Sequence, residues 1–369
     1  MSDVVRVLHA LGGMNRGGQE TFIMNVYRSI NREKLQFDFL LNNPRKCDYE
    51  DEIISLGGTI HRVPRRYPNY LLHLKCLNTF FKNNTQYNIV HQHTNSCSAI
   101  STLICAKKHG FKRIIIHSHN SRPDAGFGTK IFDYLYKPRI KKYATHYFAC
   151  SELAASNLFS KYVKKNEVII IKNAIDTDVY RKNDVKRKKK RIAMKVDEKF
   201  VIGHIGRFSS VKNHSFIIEV FRVIHAKNPD VFLLIVGEGE LRTAIEEKVD
   251  LLGLKDSVIF TGVRSDVPDL LRTMDVFLLP SLYEGLPVTL VEAQASGLPC
   301  VVSDVVTKEV AITDLIEFIP LSESAAYWAD RLMVYTEGYE RRDTQKAIKQ
   351  AGFDIKDVAS WLEEFYLNS

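Results

Sequence analysis

Short apolar runs alternate with longer amphipathic stretches along this chain, and few of the runs show the every-other-residue polarity of a strand with one wet face. In the first half the runs are VVRVLHAL (4–11), FDFLL (37–41), TIHRV (59–63), NIVHQH (88–93), RIIIHSH (113–119), HYFAC (146–150) and VIII (168–171). The second half has KFVIGHIG (199–206), VFLLIVG (231–237), VIFTG (258–262), DVFLLPS (275–281), PCVVSD (299–304) and IEFIP (316–320). Strands that are apolar on both faces are covered on both faces, as in a parallel sheet flanked by helices. The pattern occurs twice, so an α/β protein of two doubly wound, Rossmann-like domains is expected, meeting near residue 176.

Length and composition fit this division, since 369 residues with 45% hydrophobic content can fill two cores. The opening MSDVVRVLHALGG lacks the basic start and length of a secretion signal, and no run approaches a membrane-spanning helix. A cytoplasmic protein is expected, with Cys47, Cys76, Cys97, Cys105, Cys150 and Cys300 as free thiols in a reducing compartment. The net charge of +9 admits nucleic acid, anionic lipid or a phosphorylated ligand as partner. Its densest cluster, KRKKKR (186–191), carries no interleaved aromatics, so it reads as a solvated linker helix and nucleic acid is set aside. Arg65, Arg66, Lys137, Arg139, Lys141 and Lys142 suit peripheral contact with an anionic inner membrane face as well as they suit scattered surface charge.

Open parallel sheets bind ligands beyond the carboxyl ends of their strands, so the residues after each run carry the candidate chemistry. After the first run comes GGMNRGGQE, where Gly17 and Gly18 let a backbone approach a ligand at a helix start that favours anions. The first run of the second half ends in GRFSSVKN, placing Arg207 and Lys212 where a planar donor fork and a compact charge could share a diphosphate. Gly237 and Gly239 end the next run, and Val263 and Arg264 lie at the tip of the one after. In SLYEGLPVTLVEAQASGLP (281–299), Pro287 suits the first turn of a helix and Gly297 its C-terminal cap. That reading leaves Glu284 in a loop and puts Glu292 about five residues into the helix, roughly 7 to 8 Å along its axis. Amides between the two can face a phosphate, while the carboxylates accept hydrogen bonds from hydroxyls. A hexose and a ribose flanking a diphosphate have that shape.

The Glu284 and Glu292 pair, GRF with Lys212, the Gly17–Gly18 loop, KNAID at the junction and EAQASGLPCV together resemble retaining glycosyltransferases of family four, which have the GT-B fold. RIIIHSHNSR and the overall length are most similar to bacterial members that build capsule or exopolysaccharide. The resemblance implies two Rossmann-like domains facing a cleft: an acceptor-side domain over 1–176, a nucleotide-sugar domain over 177–352, and a C-terminal helix over 353–369 returning to the first domain. It implies that Glu292 holds the ribose, that Glu284 contacts donor-sugar hydroxyls or the leaving phosphate, and that Arg207 and Lys212 stabilise the departing diphosphate. Val263 and Arg264 would meet the base, and the loop from Gly285 through Leu286 and Pro287 to Val288 the phosphates. A histidine contacts the donor sugar, here His117, with His119 as the alternative.

No metal and no cofactor are expected, because arginine, lysine and helix-terminal amides can stabilise the leaving group directly. DTD at 176–178 imitates a metal-binding pair but follows the junction segment. His91, His93, His117 and His119, with Cys97, could hold zinc, but both histidine pairs are expected to point into the donor region. The segment 120–132 reads as a loop shaping the acceptor site. The resulting expectation is transfer of a sugar, UDP-linked, to a lipid-linked saccharide in surface polysaccharide assembly. Epimerisation or hydrolysis of a nucleotide sugar on the same fold, or a non-catalytic partner subunit, are the alternatives.

Overall fold

The computed structural model describes residues 4–119 and 127–368, which divide into two compact units. The first comprises 1–175 with 354–369, the second 176–353. Every run read as a strand is one. The first unit contains β1 (Val5–Leu11), β2 (Leu35–Leu41), β3 (Ile60–Arg62), β4 (Ile89–Thr94), β5 (Arg113–Ser118), β6 (His146–Ala149) and β7 (Val168–Ile170). They form one sheet in the order β3-β2-β1-β4-β5-β6-β7 with parallel pairing throughout. The second unit contains β8 (Phe200–Ile205), β9 (Val231–Val236), β10 (Val258–Phe260), β11 (Val276–Leu279), β12 (Cys300–Ser303) and β13 (Ile316–Ile319). Its order is β10-β9-β8-β11-β12-β13, again parallel.

Both orders reverse direction once, between β1 and β4 and between β8 and β11, and such a reversal opens a crevice at the carboxyl ends of the two strands. The loops after β8 and β11 are those that carry Lys212 and Glu284. Apolar clusters cover both faces of the first sheet. One gathers Leu8, Val90 and Ile116 under the helices Tyr70–Asn83 and Ile100–Lys108, the other Val7, Phe37 and Phe39 under the helices Gly18–Ser29 and Ile355–Leu367. The C-terminal helix therefore completes the first unit's core with Ile355, Ala359, Leu362 and Tyr366.

The basic run differs from a solvated helix. The helix Asp184–Ala193 carries it, but Arg191 is buried and Arg187 and Lys190 are half-buried, because Asp275 takes both arginines and Asp266 takes Lys190 at 2.6 Å. Only Lys186, Lys188 and Lys189 are fully in water. All six cysteines are free, and among the described residues no helix is long and apolar enough to cross a membrane.

Candidate functional site

The second unit's switch point is built by backbone contact. A Cβ on Gly237, which has φ +142, would lie 2.1 Å from the Gly206 carbonyl, and one on Gly239 would lie 2.4 Å from that of Phe208. The loops after β8 and β9 can touch only because these positions are glycine. Gly206 in turn leaves room for the Lys212 side chain, which a Cβ would approach to 3.1 Å. Lys212 ends a short 3-10 turn, and its Nζ lies 2.5 Å from Glu284 Oε1, which also accepts from the Ser281 hydroxyl at 2.9 Å. Lys212 and Glu284 are 17% and 13% exposed, so the pair is shielded from water and held by a third group. Arg207 does not join them. It is 75% exposed and pairs with Glu240 at 3.2 Å. Arg264 is likewise engaged, forking onto Asp266, while Val263 beside it is exposed. Arg264 first, then Lys190, holds the Asp266 carboxyl far below the usual carboxylate range.

Gly285 and Leu286 lead to Pro287, which is the cap of the helix Val288–Ala295 rather than its first residue. No side chain caps this end, so its first amides have no intrahelical acceptor. The C-terminal cap is Ser296, and Gly297, the residue after it, takes the left-handed φ of +65 that this position favours. Glu292 is the helix's fifth residue and 8% exposed; its Oε1 accepts from the Tyr180 hydroxyl at 2.7 Å. Burial raises the carboxyl above its ordinary value, and the Tyr180 bond opposes that shift. Sequence reasoning missed Tyr180, whose partner stands 112 positions away. DTD has a structural use: Asp176 caps the short helix Thr177–Tyr180 by accepting from the Asp178 amide.

In the first unit Gly17 caps the helix Gly18–Ser29, and its missing side chain makes room for Glu20, whose Oε2 would stand 2.4 Å from a Cβ. The open helix end thus faces its own carboxyl, which burial pushes upward. A Cβ on Gly18 would meet nothing. The histidines form a ladder across β1, β4 and β5 instead of lining an open region. His9 Nδ1 meets His93 Nε2 at 2.9 Å, and His93 Nδ1 meets His119 Nε2 at 2.8 Å. His91 bridges Tyr366, 2.5 Å away, and His117, 3.1 Å away. His117 is fully buried, with Phe22 and Phe148 edge-on to its ring, whereas His119 is half-buried. Burial holds all five rings neutral, with His9 and His119 lowered to about 3. The sets His9, His91, His93 and His93, His117, His119 each bring ring nitrogens within 4.8 Å of one another, the donor set a zinc ion would use. Several of these nitrogens already serve one another as hydrogen-bond partners, while His9 Nε2 and His117 Nε2 have none among the described residues, and Cys97 packs in the cluster on the other face of the sheet.

Two parallel sheets in succession, each with one switch point, are the architecture of the GT-B fold. Residues 16–179 match Glycosyltransferase Family 4 and residues 185–350 match Glycosyl transferases group 1. The chain is 36% identical to the putative glycosyltransferase EpsF of Bacillus subtilis over 98% of its own length and 96% of that protein's. It is 35% identical, over 39% of this chain and 38% of the other, to the UDP-Gal:alpha-D-GlcNAc-diphosphoundecaprenol alpha-1,3-galactosyltransferase of Escherichia coli. Anabaena HepE, solved in complex with UDP and glucose, superposes with a TM-score of 0.77 at 17% identity, covering 98% of this chain and 99% of that one. The chain belongs to the family-4-type glycosyltransferases, with the GT-B fold.

Proposed function

We propose that this glycosyltransferase is a retaining enzyme that moves a hexose-type sugar from a UDP-linked donor to a lipid-linked saccharide in surface polysaccharide assembly, at the inner face of the cell membrane and without a metal. The observation that carries the reading is the Lys212–Glu284–Ser281 group at the second switch point, with Glu292 one and a half helical turns beyond it. The second unit is the donor unit and the first the acceptor unit. Glu292 offers its other carboxylate oxygen to the ribose hydroxyls while Tyr180 holds Oε1, and the N–H groups of Gly285, Leu286 and Val288, around Pro287, face the phosphates. The ligand's diphosphate competes with Glu284 for Lys212, releasing Glu284 to the sugar hydroxyls, and Arg207 leaves Glu240 for the same phosphates.

As the C1–O bond to the diphosphate breaks, negative charge grows on the leaving oxygens, which Lys212, Arg207 once turned from Glu240, and the loop N–H groups stabilise. The acceptor oxygen bonds to C1 from the same face, and its proton passes to the leaving phosphate oxygen, so neither a protein base nor a metal enters the balance. His119 is assigned to the donor sugar ahead of His117, because it alone of the two is partly exposed. The support from relatives is that the Escherichia coli enzyme is named for a UDP-sugar and a diphospholipid acceptor, and that HepE was solved with UDP.

Thermal-shift binding of UDP, GDP and their sugars tests the donor half. One nucleotide sugar should stabilise the wild type and lose its effect in Glu292→Ala; stabilisation by none of them would remove the donor assignment. Treatment with a chelator should leave activity intact, and a loss restored by zinc or magnesium would show that the histidine ladder or another site needs its ion.

A further inference from the structure

The face of the first sheet opposite the histidine ladder carries a polar cavity of about 50 Å³ at the carboxyl ends of β1, β2 and β4. This is the first unit's own switch point, where a ligand is expected on topological grounds. The space exceeds what a single water needs. Asn42, Gln92, Ser101 and Thr102 line it together with His73 and Arg66. Two of these are already committed to the fold. The Gln92 amide donates to the carbonyls of Ala10 and His93, and His73 Nδ1 donates to the Pro64 carbonyl at 2.7 Å, which leaves its Nε2 to accept from Ser101 at 3.4 Å. His73 is neutral, because burial lowers its pKa.

Arg66 is the one charged side chain lining the cavity. Its Nη1 is buried without a partner, and among the described residues no ion pair reaches it. Burial depresses its pKa, yet a guanidinium stays charged in proteins, so the desolvation cost stands until an anion offsets it. The chain next to Arg66 is apolar and in water, with Tyr67 86% and Leu71 78% exposed and Leu72 beside them. Phe132 packs on Tyr70 at 5.8 Å, and its helix Phe127–Tyr136 exposes Ile131 and Tyr134. A cation with a buried Nη1 that has no partner among the described residues, in a polar pocket bordered by exposed apolar side chains, complements a molecule that is anionic at one end and oily at the other.

We propose that this cavity receives a phosphate of the acceptor lipid, a phosphate or diphosphate ester of a long-chain alcohol. The anionic oxygens pair with Arg66 and accept from the Thr102 hydroxyl, while the alkyl chain lies over Tyr67, Leu71 and Ile131. This rests on the lipid-linked acceptor reading above. A membrane phospholipid headgroup offers the same phosphate chemistry, so the test separates the two sources.

Binding of farnesyl diphosphate, inorganic pyrophosphate and phosphatidylglycerol vesicles to the full chain would be measured beside thermal shift by UDP. Farnesyl diphosphate should bind, with pyrophosphate at least about tenfold weaker. Arg66→Gln should weaken farnesyl diphosphate by about 10- to 100-fold, the worth of a charge-assisted hydrogen bond. Leu71→Glu, on the surface, should weaken farnesyl diphosphate but not pyrophosphate. UDP should stabilise both variants as it does the wild type. Farnesyl diphosphate binding that both variants retain overturns the proposal, as does its displacement by UDP. Vesicle binding that requires Arg66 and is not inhibited by farnesyl diphosphate reassigns the cavity to phospholipid and also overturns it. Failure of UDP to stabilise the wild type, with Arg66-dependent binding intact, would fault the donor reading alone.

Discussion

Glu292 is a carboxylate inside a helix whose other residues from Leu290 to Ala295 are buried as well, and its protonation links the fold to the ligand. The unfolded chain ionises this group at about its ordinary value of 4.5, and burial raises the value in the folded state. The folded protein therefore favours the proton, so stability from this group is full below pH 4.5 and is lost as pH rises through the folded value. Glu292→Gln, which removes the charge, should melt above wild type near neutrality, and the gap should close as pH falls toward 4.5. Its UDP affinity should drop about tenfold or more, since an amide replaces an ionised acceptor. A lower melting temperature at pH 7 would show that Glu292 is held ionised by more than Tyr180. Glu284, Glu292 and Lys212 were legible because each follows a strand by a fixed, short path, so topology alone brings them to the switch point. Tyr180, Glu20 and Arg66 were not, because what matters about each is a partner, or a missing partner, set by tertiary packing. Arg207 and Arg264 were legible as candidates but not in their present pairing, since flexible exposed guanidinium groups take whichever carboxylate lies nearby.

At the scale of elements, the helix Ile355–Leu367 shows what a family resemblance reveals and what it hides. The family resemblance implies a helix here that returns to the first domain, and the structure buries Ile355, Ala359, Leu362 and Tyr366 against Phe37 and Phe39. The polar ties were invisible in one dimension. Arg113 donates to the carbonyls of Phe365 and Asn368, and the Tyr366 hydroxyl reaches His91, 275 positions away. Two substitutions separate the contributions. Leu362→Ala should cost the first unit about 2–5 kcal/mol through lost burial and a cavity. Tyr366→Phe keeps the ring but strands a buried imidazole nitrogen, so it should cost about 1–3 kcal/mol. Both would be read as chemical denaturation midpoints, and a Tyr366→Phe protein as stable as wild type would mean that His91 finds another partner. The basic helix carries the same lesson in reverse. A run of six cations reads as solvated, yet Asp275 and Asp266 turn three of them inward, where the counter-charges and the backbone carbonyls that the two arginines donate to offset the desolvation cost.

For the molecule as a whole, the two units have nearly the same architecture but unequal sensitivity to acid. The first holds His9, His91, His93, His117 and His119 neutral in its core, while the second buries His204 and His214. Folded-state values below the ordinary 6.5 mean that the unfolded chain takes up protons first as pH falls. Stability is therefore complete above pH 6.5 and declines through the interval down to the folded values, near 3 for His9 and His119 and about 4 for His214. Each histidine contributes about 1.4 kcal/mol per pH unit in that window, a slope that five together impose on a margin of only about 5–15 kcal/mol. The first unit should unfold in mild acid while the second persists. The chain supplies its own reporters, since Trp361 lies in the first unit and Trp328, fully buried, in the second. Fluorescence of Trp361→Phe and Trp328→Phe variants should show two acid transitions, with the Trp361 signal changing at the higher pH. Coincident transitions would mean that the units unfold as one, and a Trp328 signal that changes first would mean that carboxylates, not the histidine ladder, set the acid limit.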